Sequence, residues 1–120
     1  MRRAAAVLFF IVAGCAQLQE LAQKTRAQAT LAEGLRNFDD GDHKAAATAL
    51  SRSIKLGLGA QDRALAHRHL AFIHCSAGRE AQCREDFRKA LAAHPGMQLE
   101  AAEAGHPVWG PIFRSVKAGR

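Results

Sequence analysis

Residues 64–95, ALAHRHLAFIHCSAGREAQCREDFRKALAAHP, constrain the chain more than any other stretch, because they read as two helices folded back on each other about one glycine. Ala66, Leu70, Ile73 and Ala77 stand at i, i+4, i+7 and i+11, the spacing that gathers apolar side chains on one face of a helix. Gly78 ends that stripe. A second runs through Cys83, Phe87, Ala90 and Leu91, with Arg84, Glu85, Asp86, Arg88 and Lys89 assigned to the wet side. Pro95 closes it, since proline has no amide hydrogen to donate and crowds the preceding turn.

The pattern recurs 37 residues earlier in weaker form: Gly41 falls on Gly78, Ala46 on Cys83, Leu50 on Phe87, Ser53 on Ala90 and Ile54 on Leu91. With Ala71, Gly78, Cys83, Phe87, Ala90 and Pro95 at the small, turn, large and terminal positions, the unit resembles the tetratricopeptide repeat, a helix-turn-helix of about 34 residues. The resemblance implies an all-α fold, a short stack of tetratricopeptide-like helical hairpins. Repeat 1 is expected over about 31–57, repeat 2 over about 62–95 and a C-terminal capping segment over about 97–118. Leu31, Leu35 and Phe38 supply the first stripe, and Asp39-Asp40-Gly41-Asp42 forms a turn whose acidic residues suit the N-terminus of the return helix from His43 to Lys55. After the Gly57-Leu58-Gly59 break, Asp62 reads as the N-cap of the central pair.

Beyond Pro95 the character changes: a short helical patch from Leu99 to Ala104 precedes Gly105, Pro107, Gly110 and Pro111, grouped around the single tryptophan. A repeat stack needs its last apolar face covered. Val108, Trp109, Ile112 and Phe113 are the natural cover, with Pro111 starting a last helix through Val116. The competing reading makes Trp109 an exposed anchor for a partner, tryptophan being enriched among interface hot spots.

The N-terminus looks removable. MRR is a basic n-region, residues 4–13 an apolar h-region, and Val12-Ala13-Gly14-Cys15 a small-residue site ending in cysteine. The apolar run is short for a bilayer span, so residues 1–14 read as a signal peptide rather than a transmembrane segment. Those four residues match the bacterial lipobox, which makes Cys15 the lipidated first residue; the plainer alternative is a secretory signal with an incidental cysteine. Two or three acyl chains, at about 0.8 kcal/mol per buried methylene, hold a protein at a bilayer almost permanently. Ala16, where aspartate is absent, implies by similarity to Gram-negative lipoproteins an outer-membrane destination facing the periplasm. Residues 15–30 would then be a tether, helical or disordered, with a thin stripe at Leu18, Leu21 and Thr25 and a helical reach of about 20 Å.

The whole chain of 120 residues carries a formal charge of +6; without Arg2 and Arg3, 15 basic residues face 11 acidic ones, leaving about +4. An exported domain with this mild excess and no aromatic-basic motif is not expected to bind nucleic acid.

Cys75 and Cys83 flank the Gly78 turn. In an antiparallel pair, a residue three before the turn lies opposite one five after it, within the Cα separation of roughly 4.4–6.8 Å a disulfide needs. An oxidising periplasm favours that bond over two buried thiols. Six histidines raise the question of metal. His67 and His69 diverge on a helix, and His67 and His74 stand two turns apart, not at the i, i+4 spacing of a helical zinc pair. A nucleophilic Cys75 beside His74 lacks an orienting acid, and no phosphate loop, serine elbow or carboxylate pair is present. The expectation is therefore a non-enzymatic protein with no metal, cofactor or small-molecule substrate.

The lipobox, the repeat, HRHLAFIHCSAGREAQCREDFRKALAAHPG at 67–96 and EAGHPVWGPIFRSVK at 103–117 together resemble the TssQ family of type VI secretion-associated lipoproteins. The most specific matches are His69-Leu70-Ala71-Phe72-Ile73, the two cysteines, and Gly105-His106-Pro107 with Trp109-Gly110-Pro111; His74 departs from the aromatic residue expected there. The resemblance implies an accessory envelope component that contacts secretion-system membrane-complex proteins, and it carries no defined binding site onto any residue. Repeat geometry points to the face of the first helix of each pair, around Asn37, His67, Arg68 and His74, as the contact surface, against the bland reading of a solvated polar face. The alternative function is a general cell-envelope lipoprotein that binds peptidoglycan or an outer-membrane assembly complex.

Overall fold

A computed structural model describes residues 2–120, and their side chains from Gly14 onward. The leader read over residues 1–14 therefore lies almost wholly outside the described side chains. Six helices follow in order, α1 (Arg2–Asp39), α2 (His43–Leu56), α3 (Ala60–Ser76), α4 (Glu80–Ala93), α5 (Ala101–Ala104) and α6 (Trp109–Lys117), with no strand among the described residues. The molecule is an all-α stack of helical hairpins. None of its described helices is long and apolar enough to cross a membrane.

The repeat relation is legible in the helix ends themselves. Asp39 and Ser76 end α1 and α3, His43 and Glu80 begin α2 and α4, and Leu56 and Ala93 end them, each pair 37 residues apart. Both turns are closed by a glycine in the left-handed region, Gly41 at φ 80° and Gly78 at φ 76°, where any side chain would strain the backbone. In the first turn the Asp42 carboxylate accepts from the Ala45 N–H at 3.1 Å, capping α2 as its sequence suggests. Asp62 does not cap α3. Gly59 takes that place, because α3 begins at Ala60, and Asp62 lies in its first turn, where a negative charge suits the helix dipole.

Alpha helix α3 is the centre of the stack, and His69, Leu70, Ala71, Phe72 and Ile73 are all buried in succession. Such an all-round pattern arises because α3 serves two cores. Ala66, Leu70 and Ile73 pack with Ala27, Leu31, Ala46 and Leu50 of the first hairpin. Ala71, Phe72 and Cys75 pack with Cys83, Phe87 and Ala90 of α4 and with Phe113 and Val116 of α6. Phe38, at the end of α1, packs against both clusters.

The expected tether over 15–30 is too long. Ala27 and Thr30 are buried, and the Gln23 amide donates to the Leu56 carbonyl oxygen at 3.0 Å, so α1 joins the stack near Gln23 rather than at Leu31. Before that point the helix stands clear, with Leu18 and Leu21 exposed. Cys75 and Cys83 stand in a disulfide with Cα atoms 5.1 Å apart, stapling α3 to α4 across the turn.

The C-terminal segment covers the second core. Glu103 reaches back to the Glu100 N–H at 2.9 Å and fixes the start of α5. Phe113 meets Phe87 edge-on at 5.3 Å, while Lys117 Nζ donates to the Met97 carbonyl oxygen and Arg84 to the Ser115 hydroxyl. Val108, expected in the cover, is instead exposed, and Val116 replaces it. Pro111 falls third in α6, still within the first turn where its missing N–H costs nothing.

Candidate functional site

The polar residues singled out on the first helices do not form one open face. His67 and His74 both turn from α3 toward Asp86 of α4, a residue the amphipathic pattern assigns to solvent. His67 Nδ1–H donates to Asp86 Oδ1 at 3.0 Å, and His74 Nε2 lies 3.5 Å from Oδ2. On its other side His74 Nδ1 accepts from Arg79 Nε–H at 3.0 Å, which puts the His74 proton on Nε2, facing the carboxylate. Burial lowers the His74 pKa from its ordinary 6.5; Asp86 opposes that shift and Arg79 adds to it. The arrangement is a chain of four side chains, Arg79, His74, Asp86 and His67, lying along the seam between α3 and α4. Its chemistry is a clamp, since each ring spends its polar edge on a neighbour.

Arg68 is also committed inward. Its Nη1 donates to the Gln98 carbonyl oxygen at 3.5 Å, and its Nε sits 3.8 Å from Glu103 Oε1, tying α3 to the segment that carries α5. That Nε is buried without a hydrogen-bond partner, so the guanidinium holds the cap by charge more than by geometry. Asn37 is separate from all three: it lines a groove between α1 and α2 with Glu33, Lys44, Thr48, Ala49 and Arg52.

Trp109 is a structural residue of the cap. Its indole is stacked between Phe72, centroids 4.1 Å apart, and His106 at 4.0 Å, and its Nε1–H donates to the Ser76 hydroxyl. His106 Nδ1 in turn accepts from the N–H groups of Val108, the N-cap of α6, and of Trp109, its first residue, at 3.1 and 3.2 Å, pinning the turn that leads into the helix. Gly110 allows the approach, for a Cβ there would collide with the Ala104 carbonyl oxygen.

Cys15 is exposed on α1 and outside any disulfide. Among the described residues no group of three or more His, Cys, Asp or Glu is placed to hold a metal. Sequence reasoning left Asp86 on the wet side, gave Ala49 no role and quoted His106 only as part of a motif. The first two were within reach, because the 37-residue offset that aligns the turns also pairs Asn37 with His74 and Ala49 with Asp86. No protein-family model, curated protein or solved structure matches the chain.

Proposed function

We propose that the chain is a lipid-anchored, non-enzymatic protein-interaction adaptor of a type VI secretion envelope complex, held at the outer membrane and facing the periplasm. The observation that carries this reading is the continuity of α1, which has an exposed cysteine at residue 15 and buried packing residues from Ala27 onward on one helix. A lipid on Cys15 would hold the hairpin stack at a set distance: Ala27 stands 12 positions beyond Cys15, a rise of about 18 Å at 1.5 Å per residue. Fixed stand-off suits a module that positions other proteins, because tethering raises the effective concentration of every partner within reach. The link to secretion itself rests on the sequence resemblance at 67–96 and 103–117.

Affinity capture of the lipidated, C-terminally tagged protein from gently solubilised envelopes tests it, with co-purifying proteins identified by mass spectrometry. Recovery of secretion-system membrane subunits, lost when Cys15 is replaced by serine, supports the adaptor. Recovery of cell-wall or outer-membrane assembly proteins in their place would assign the chain to general envelope maintenance.

A further inference from the structure

The first hairpin carries its charge unevenly along its length. At the end from which α1 projects stand Lys24, Arg26, Arg52 and Lys55, all exposed, with exposed Arg63 of α3 beside them. The Gln23 amide on the Leu56 carbonyl oxygen brings α1 and the end of α2 to one level, and Arg63 Nη1 donates to the Leu58 carbonyl oxygen at 3.4 Å, adding the start of α3 to the same shoulder. Against these five cations the shoulder holds Glu20 and Asp62, and Asp62 lies in the first turn of α3, where the helix dipole already favours it. At the turn end the balance reverses: Glu33, Asp39, Asp40 and Asp42 outnumber Arg36 and Lys44. Among the described residues none of the five shoulder cations makes an ion pair, whereas Arg84 and Arg88 on α4 are paired with Glu80 and Glu85.

The shoulder looks back along α1 toward Cys15. Gln23 stands eight positions beyond Cys15, a rise of about 12 Å. Leu18 and Leu21 lie between them, and with Val108 they are the large apolar side chains left exposed among the described residues. On a chain held at a bilayer by residue 15, these two leucines fall at headgroup level, where an apolar side chain is better placed than in water. The basic shoulder comes next along the helix. Lys and Arg side chains reaching back from it bring their charge within the screening length of about 8 Å at physiological salt. The acidic turn is carried about 21 Å further out, the length of the 14-residue α2.

We infer that this shoulder docks on the anionic headgroups of the bilayer that holds Cys15, and so sets the stack upright, basic end down and acidic turn outward. A single cation near an anionic surface favours the docked state about fivefold, and several on one shoulder multiply. The unpaired cations, the exposed leucines and the cysteine follow one another along the same end of the molecule, which is the order a membrane-facing surface requires. The inference rests on the anchored reading for the position of the bilayer at residue 15. Chemical attachment at that residue supplies the anchor in the test, so failure of the docking surface and failure of native lipidation are separate events.

The full chain is coupled through the thiol of Cys15, its exposed free cysteine, to a maleimide lipid in phosphatidylcholine vesicles made with or without phosphatidylglycerol. Lysine reactivity toward an acylating reagent is then mapped residue by residue by mass spectrometry. On the anionic vesicles Lys24 and Lys55 should lose reactivity about fivefold or more, while Lys44 at the acidic end keeps its own; added salt should erase the difference. Reversing Arg26→Glu together with Arg52→Glu, two exposed side chains without an ion pair, should restore the reactivity of Lys24 and Lys55. Lys44→Glu should leave their protection intact. Protection as strong on neutral vesicles, protection of Lys44 equal to that of Lys55, or protection that survives the double reversal would each overturn the proposal. Native lipidation is read separately, as added acyl mass on Cys15 of the protein from cells.

Discussion

The His69 ring meets Phe38 edge-on at 4.9 Å and Phe72 at 5.4 Å, and its Nδ1–H donates to the Leu65 carbonyl oxygen at 2.9 Å. Burial lowers its pKa from the ordinary 6.5, and the Leu65 hydrogen bond only partly offsets that. His74 shifts the same way. Each imidazole then binds its proton more readily in the unfolded chain, so stability is complete above about pH 6.5 and declines as pH falls from there through the lowered pKa values. Each group adds a slope of at most about 1.4 kcal/mol per pH unit within that window. Urea unfolding midpoints measured from about pH 8 to about pH 5 should fall on the acid side, and His69→Phe should flatten the decline while preserving the aromatic packing. An equal decline in the variant would remove His69 as its source.

At the scale of the hairpin, two local devices set how closely helices approach. A Cβ on Gly34 would lie 2.9 Å from Leu50 Cγ and 3.1 Å from the Leu50 backbone nitrogen. Alanine at a helical glycine gains about 1 kcal/mol of helix propensity, but overpacking a tight contact costs about 1–3 kcal/mol. The backbone nitrogen cannot yield as a side-chain tip would, so Gly34→Ala should destabilise by about 1 kcal/mol, read as a lower urea midpoint with unchanged slope. The disulfide acts on the other hairpin. It closes a loop of 8 residues, which the chain-entropy relation converts to about 2–3 kcal/mol, and reduction or a Cys75→Ser/Cys83→Ser double variant should lower stability by that amount. These pairs also mark what the residues disclose. Turn glycines, stripes and the cysteine staple are local in sequence and were legible, since a left-handed φ and a period of 3.6 leave their own signatures. Where α1 begins to pack, and which way Asp86 points, depend on groups across a seam. Asp86 sits among charged neighbours in the chain and reads as solvated until His67 and His74 arrive from α3.

Across the whole molecule, the C-terminal segment decides whether the second core exists. Trp109 fills the space over Phe72, Phe113 packs on Phe87, and Val116 is buried with them. A large apolar side chain contributes about 1.5–3 kcal/mol on burial, so these three together approach the total stability of a small domain, about 5–15 kcal/mol. Removing residues 105–120 should leave the helices of the first hairpin largely formed while the second loses fixed packing, seen as retained far-ultraviolet helicity, a broadened urea transition and binding of a hydrophobic dye. A truncated chain that unfolds with the midpoint and slope of the intact one would show the cap to be dispensable. Trp109→Ala in the full chain separates packing from chain length. It leaves α6 and its Phe113 contact in place but empties the stack between Phe72 and His106, and by the usual cost of deleting a large aromatic it should destabilise by about 3–5 kcal/mol. Were Trp109 instead an anchor for a partner, the same variant would lose binding with little loss of stability, and the ratio of the two effects distinguishes cap from anchor.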